Sequence, residues 1–270
     1  MEAGAQRIVE RYVRWADRAV PGRVVGVYVI GSTALGAYRH GHSDLDVVAV
    51  LDRPVPIGRL RAVHLASWSG AARRAARHGQ VAVPGNVNAA YVVAGELGRP
   101  VTEIVPLASH VGLRFGTGEA FDVNPVMWKV LAERGITVRG VAAGELGLDP
   151  EPGALRDWNL ANLDGYWGPW ARGLAVKGGP RWRSSGWLLS WGSLGAPRLH
   201  ATIATGDVLS KEAAGEYALA TFGDEWRPVV EEGLAYRRGE PSPGHYRDRG
   251  QRVRATAAFV QEVVRSAHEL

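Results

Sequence analysis

Two carboxylates and a glycine–serine pair carry the chemistry this sequence offers. Asp44 and Asp46 stand two residues apart at the head of an apolar run, Leu45 to Leu51. Residues two apart in an extended chain project to the same face, so the two acids point together. Upstream, the β-branched run Val25 to Ile30 stops at Gly31-Ser32, the pattern of a buried strand meeting a tight turn. Paired carboxylates repel unless a cation neutralises them. Hard oxygen ligands in pairs suit Mg²⁺, which completes its shell with waters and substrate phosphates. A Gly-Ser turn offers backbone N–H groups and a hydroxyl to a phosphate, and glycine permits close approach. Gly-Ser alone is usually a turn and Asp-x-Asp alone a solvated pair. Flanked by strands and spaced as they are here, they read as a cradle for a metal–triphosphate.

Further along, Arg198 and Lys211 are basic residues on either side of Thr205-Gly206. Ser210 is placed to cap a helix, which puts Lys211 in its first turn, where N–H groups already favour anions. A lysine there opposes the helix dipole. Phosphate binding would explain it, and a surface lysine is the plain alternative. Ten tryptophans is a high count, and large rings either fill cores or line pockets. The histidines show no zinc-ligand spacing, and His200 reads as a core residue.

The elements that must hold these residues follow from periodicity. Residues 1–20 form an amphipathic helix, with no signal-peptide pattern. Ile57 to Arg77 repeats apolar residues at helical spacing, and Gly85–Val93 and Val101–Leu107 read as strands. Asn124 to Gly135 reads as a short helix and ITVRG as a short extended piece. Strands alternating with helices indicate a mixed α/β sheet. From about Pro152 the pattern is helical: Gly153–Leu174, Ser184–Thr205, Lys211–Phe222, Glu225–Arg238 and Tyr246–Glu269, broken by turn-forming stretches. The expected fold is α/β plus all-α, a domain over 1–145 followed by a helical bundle over 146–270. No apolar run reaches the length of a membrane span. Absence of cysteine excludes disulfides and thiolate chemistry, and a cytoplasmic enzyme fits. The net charge of +5 is modest and its arginines scattered, giving no basic groove for nucleic acid.

Gly31-Ser32 followed by Ser43-Asp44-Leu45-Asp46 and an apolar strand resembles the signature of the polymerase-β-type nucleotidyltransferases. Within that superfamily the chain looks most like the streptomycin/spectinomycin (aminoglycoside) adenylyltransferases. The segment Asp122–Leu146 is similar to that group's link between domains, and Pro197–Leu219 to its helix–TG–turn–SK–helix element. The resemblance implies transfer of AMP or another NMP from Mg-ATP to a hydroxyl of a small, aminoglycoside-like molecule, with release of pyrophosphate, by a monomer. It implies metal binding by Asp44 and Asp46. It implies nucleotide binding by Gly31, Ser32, Arg198, Lys211 and Tyr236, the last of which by itself would be a helix-packing residue.

Two departures stand out. These enzymes place a third acid on the strand after the Asp-x-Asp hairpin, as ligand or general base; here Asn88 stands in that position. Glu103 on the following strand supplies the base, or the register differs by a residue or two, or catalysis is impaired. On the acceptor side the group presents carboxylates to a polycationic drug. The nearest helix here offers Trp187 and Trp191, preceded by Arg181, Trp182 and Arg183, with Tyr166, Trp167 and Trp170 nearby. If Trp167, Trp170 and Trp187 line the cleft, the acceptor is less cationic or is recognised by stacking; otherwise they are packing. Asp157, Asp164, Glu212 and Glu216 remain candidate amine partners. The rival to the enzyme is a catalytically weakened protein of the same fold, binding a nucleotide or metabolite in a regulatory or biosynthetic role.

Overall fold

In the computed structural model the described residues, 1–77, 85–180 and 184–270, form two compact units, Met1–Glu151 and Pro152–Leu270. The first is built on a six-stranded mixed sheet of order β5-β4-β3-β2-β1-β6. Strand β1 (Val24–Ile30) pairs antiparallel with β2 (Leu45–Leu51), and β2 pairs parallel with β3 (Val87–Val93). A parallel neighbour needs a crossover, and here its helix is α3 (Ile57–Arg77). All seven expected residues of β2 and the full expected span of α3 are present.

The strands are apolar on both faces because both faces are covered. Helix α1 (Ala3–Ala19) turns Ala5, Val9, Tyr12 and Ala16 inward, and with α3 it covers the face carrying Val27, Val29, Val47, Ala49, Ala89 and Tyr91. Tyr12 donates to Tyr91 Oη at 2.8 Å in that core, which spares two buried hydroxyls about 1–3 kcal/mol each. Between β1 and β2 lies the single turn α2 (Gly31–Ala34). Helix α4 (Pro125–Arg134) packs against α2 and β1, with Trp128 and Leu131 fully buried. Its cap is Asn124, whose Oδ1 accepts from Met127 N at 3.0 Å.

The strand expected over Val101–Leu107 is not one. Val101–Glu103 forms a 3₁₀ turn, its Val101 N bound to Asp149 O at 3.1 Å. Pro100 and Pro106 flank the segment and cannot donate to a ladder. Sheet pairing resumes beyond them, in the hairpin of β4 (Ala108–Val111) and β5 (Arg114–Gly116). Strand β6 (Ile136–Arg139) closes the other edge, tied to α1 by Arg139 donating to both oxygens of Asp17 at 2.6 and 2.7 Å.

The second unit is helical, as expected: α5 (Pro152–Asn162), α6 (Gly168–Lys177), α7 (Ser185–Thr205), α8 (Lys211–Thr221), α9 (Arg227–Arg238) and α10 (Arg249–Ala267). The single helix expected over Gly153–Leu174 is two, joined by a π-helical turn at Leu163–Trp167. Pro169 explains it, since a proline there cannot return a hydrogen bond to the preceding turn. Helix α7 is central, contacting α5, α8, α9 and α10. Small residues let neighbours close on it: a side chain at Gly195 would run into the Trp167 ring. No helix among the described residues is long and apolar enough to cross a membrane.

Candidate functional site

The Gly-Ser turn and the second acid meet at one end of the sheet. Asp46 lies opposite Ile30 on β1 and opposite Asn88 on β3. Gly31 has a positive φ of 61°, and a Cβ built on it would fall on the Asp46 carboxylate. Glycine is therefore required there twice over, for its backbone angle and for the space the acid occupies. The turn it opens, α2, presents Ser32 half-buried at the same rim. Asp44 is exposed and immediately precedes β2, so extended backbone alternation turns it to the Asp46 side. Its loop is held by Ser43, whose Oγ accepts from Arg39 N at 3.0 Å and whose N donates to Arg39 O at 2.8 Å. Gly31, Ser32 and Asp46 are thus brought together, with Asp44 in the loop immediately before β2.

Asn88 sits where the sequence pattern leaves out an acid. Its Nδ2 donates to Asp46 Oδ1 at 3.0 Å, while its Oδ1 accepts from Asn86 Nδ2 and Gly112 N, both at 3.1 Å. Two donors on the oxygen fix which way the amide faces. Glu103 is not brought to this rim. It lies past the far end of β3, on the 3₁₀ turn, exposed and paired with Arg99 at 3.1 Å. Asp122, just before α4, is an acid that local pattern did not single out. It is buried, and burial together with the charge of Asp46 holds its carboxyl well above the usual carboxylate range. An aspartate two residues before a helix cap reads locally as a solvated turn residue, so no sequence signal marks it.

Asp44 and Asp46 are hard oxygen donors two residues apart. That donor set fits a divalent, oxygen-preferring cation. Among the described residues no three His, Asp or Glu side chains converge as a metal cage. A cation here would take its remaining ligands from water and phosphate.

In the helical unit Arg198 and Lys211 are neighbours through one loop. Arg198 Nε donates to Leu209 O at 2.9 Å, and Ser210 caps α8 by accepting from Ala213 N at 3.2 Å, as expected. Lys211 Nζ lies 4.5 Å from the Trp191 ring centroid. Trp187 stacks on Trp191 at 5.3 Å, and Trp191 Nε1 donates to Tyr166 Oη at 3.2 Å. Trp167 and Trp170 are perpendicular neighbours, but Trp167 is 5% exposed and belongs to the helical core. The partly open rings are Trp187, Trp191 and Trp170. Tyr236, exposed, lies over Gly186 with its hydroxyl 3.4 Å from Ser184 Oγ. His200 is core, between Tyr217 and Ser266. Asp164 pairs with His268 and Glu216 with Arg238; Glu212 pairs with Arg237, and Asp157 is exposed. Arg181, Trp182 and Arg183 lie outside the described residues.

A crossover-linked mixed sheet bearing Gly-Ser beside Asp-x-Asp at its rim defines a nucleotidyltransferase-like protein. Residues 9–78 match the nucleotidyltransferase domain family, a span that includes Gly31, Ser32, Asp44 and Asp46. Residues 194–263 match the C-terminal domain of aminoglycoside adenylyltransferases, which takes in Arg198, Lys211 and Tyr236. The chain is aminoglycoside adenylyltransferase-like. In fold it is similar to spectinomycin adenyltransferase AAD(9) from Enterococcus faecialis, solved with ATP and spectinomycin. The TM-score is 0.63 at 14% identity, over 96% of this chain and 98% of that one. No curated protein matches the chain by sequence.

Proposed function

We propose that this protein transfers AMP from ATP to a hydroxyl of a small, aminoglycoside-like acceptor and releases pyrophosphate. The observation that carries the reading is the seating of Asp46 against Gly31, which sets a carboxylate directly beside the Gly-Ser turn. Ser32 and the backbone of the α2 turn would hold the phosphates, and Asp44 and Asp46 would hold Mg²⁺. When bound, Mg²⁺ supplies charge neutralisation for the triphosphate. By the resemblance, Arg198 and Lys211 are the candidate phosphate-binding residues and Tyr236 a candidate nucleotide-binding residue. Chemistry of this kind needs positioning and electrostatics more than covalent catalysis. Trp187 and Trp191, stacked and partly open, offer an aromatic surface to the acceptor. Spectinomycin, the compound found with AAD(9), is the first acceptor to try.

The weakened-site reading draws on one observation, that Asn88 is an amide where a base is expected. Incubation with Mg-ATP and a panel of spectinomycin and aminoglycosides separates the two. Pyrophosphate release with an adenylylated product mass supports the enzyme, and silence across the panel with retained Mg-ATP binding supports the weakened site.

A further inference from the structure

The arginines of the first unit, scattered in sequence, are gathered by the fold. On α1, Arg7, Arg11, Arg14 and Arg18 follow one another at four-, three- and four-residue steps, which keeps them in one narrow stripe of a helix. The stripe lies opposite Ala5, Val9, Tyr12 and Ala16, which the same helix turns into the core. Helix α3 lies alongside, with Gly70 against the Trp15 ring, and adds Arg73 and Arg77. Arg11 is half-buried and the other five are exposed, and among the described residues none of the six is ion-paired. Of the acids on α1, Asp17 is held by Arg139 and Glu10 accepts from Gln6; α3 has no acid. Like charges at these spacings weaken a helix, and a face of one sign draws polyanions to it. Asp46 is on the other face of the sheet, because it alternates with Leu45 and Val47, which pack in the core beneath α1 and α3. The arginine face is therefore separate from the nucleotide site.

We infer that the α1–α3 face is a docking surface for the phosphodiester backbone of a nucleic acid. The stripe runs about 16 Å from Arg7 to Arg18, the axial length of about five phosphates on one strand. Guanidinium forks pair bidentately with phosphate, and backbone contacts of this kind carry no sequence preference. A membrane fits worse. Helices that lie in lipid bury an apolar face there, whereas α1 turns its apolar side into the core. Among the described residues, Leu65 is the one large exposed apolar side chain on either helix.

The test measures fluorescence anisotropy of labelled duplex DNA and duplex RNA, each about 24 base pairs, against the full chain over about 50–200 mM salt. Wild type is expected to bind both, with a log–log salt slope on DNA of about −3 to −4, an increment of about 0.9 for each arginine of the stripe. Arg14→Gln should reduce that slope by about 1 and weaken binding to both duplexes. R7Q/R11Q/R14Q/R18Q should lose at least about tenfold in affinity at the lowest salt, while binding Mg-ATP as wild type does. R156Q/R172Q/R247Q/R254Q, which removes four exposed arginines of the helical unit, should bind the duplexes as wild type does. A stripe variant that binds like wild type overturns the inference, and so does an equal loss in the second quadruple variant, which reduces the effect to net charge. Wild type that binds neither duplex at the lowest salt, or binds only vesicles of phosphatidylserine and phosphatidylcholine, overturns it as well.

Discussion

Asn88 Nδ2 donates to Asp46 Oδ1 across 3.0 Å, and the Asn88 oxygen is fully engaged by Asn86 and Gly112. The amide is thereby an orienting group for the acid and has no capacity to take a proton. Asn88→Asp would replace a donor with a second negative charge in a nearly buried place. The expected outcome is a loss of about 1–3 kcal/mol in metal-free urea unfolding at neutral pH, with no gain in adenylylation. A large gain would instead identify a site weakened at this one position.

Gly31→Ala tests the contact on the other side of the same carboxylate. Alanine there meets both a left-handed backbone angle and the Asp46 oxygens. Gly36 has a similar φ of 70° with nothing within 4 Å, so Gly36→Ala isolates the backbone strain, about 1–2 kcal/mol. Gly31→Ala should cost clearly more in thermal unfolding, and it alone should weaken Mg-ATP binding measured by calorimetry.

Asp46→Asn keeps the volume and removes the charge. Turnover should fall by at least about 10³-fold, with Mg²⁺-dependent nucleotide binding lost and the far-ultraviolet circular dichroism unchanged. Retention of both activities would refute the metal assignment.

His110 makes the first unit acid-sensitive. It lies in the core with His64 at 4.6 Å between ring centroids and Tyr91 Oη at 3.4 Å, near Tyr12 and Phe115, with Arg61 over Phe115. Burial, then the neighbouring His64, pushes His110 down from 6.5 to about 3, and burial lowers His64 as well. In that window the unfolded chain takes up a proton that the folded one refuses. Stability therefore falls as pH drops from 6.5 toward 3, by on the order of 1 kcal/mol per unit, and His110 adds no slope above 6.5. Asp122 works with the opposite sign, because its raised carboxyl favours the fold at low pH. The difference between wild type and His110→Leu isolates the histidine: urea midpoints at pH 4.5 and 7 should diverge less in the variant.

Lys211 sits 4.5 Å over Trp191, a cation–π contact of about 0.5–1 kcal/mol. Lys211→Ala should therefore change the melting temperature little. ATP affinity should drop about tenfold, the share of one charged contact to phosphate. Tryptophan fluorescence reads the first effect on heating and the second during ATP titration, and unchanged ATP affinity would remove Lys211 from the phosphate site.

Much of this was legible locally. Continuous apolar, β-branched runs mark β1 and β2, helical spacing marks α3 to its end residues, and Gly31-Ser32 announces a turn. Those signals need only a residue's own conformation and its near neighbours in sequence. The hairpin of β4 and β5 was not legible, because three- and four-residue strands carry too short a pattern. Val101–Glu103 has strand-like residues, yet Val101 N bonds to Asp149 O, far along the chain, and the remaining turn bonds are local.

By itself, then, the sequence determined the class of fold and the pair of acids beside a glycine turn, since apolar runs, helical spacing and turn chemistry are short-range properties. Tertiary structure alone decided that Trp167 is core while Trp191 meets Lys211, that Glu103 ends away from the rim, and that Asp122 is buried. Burial and charge coupling depend on which distant segments pack together, and no window of sequence contains both partners.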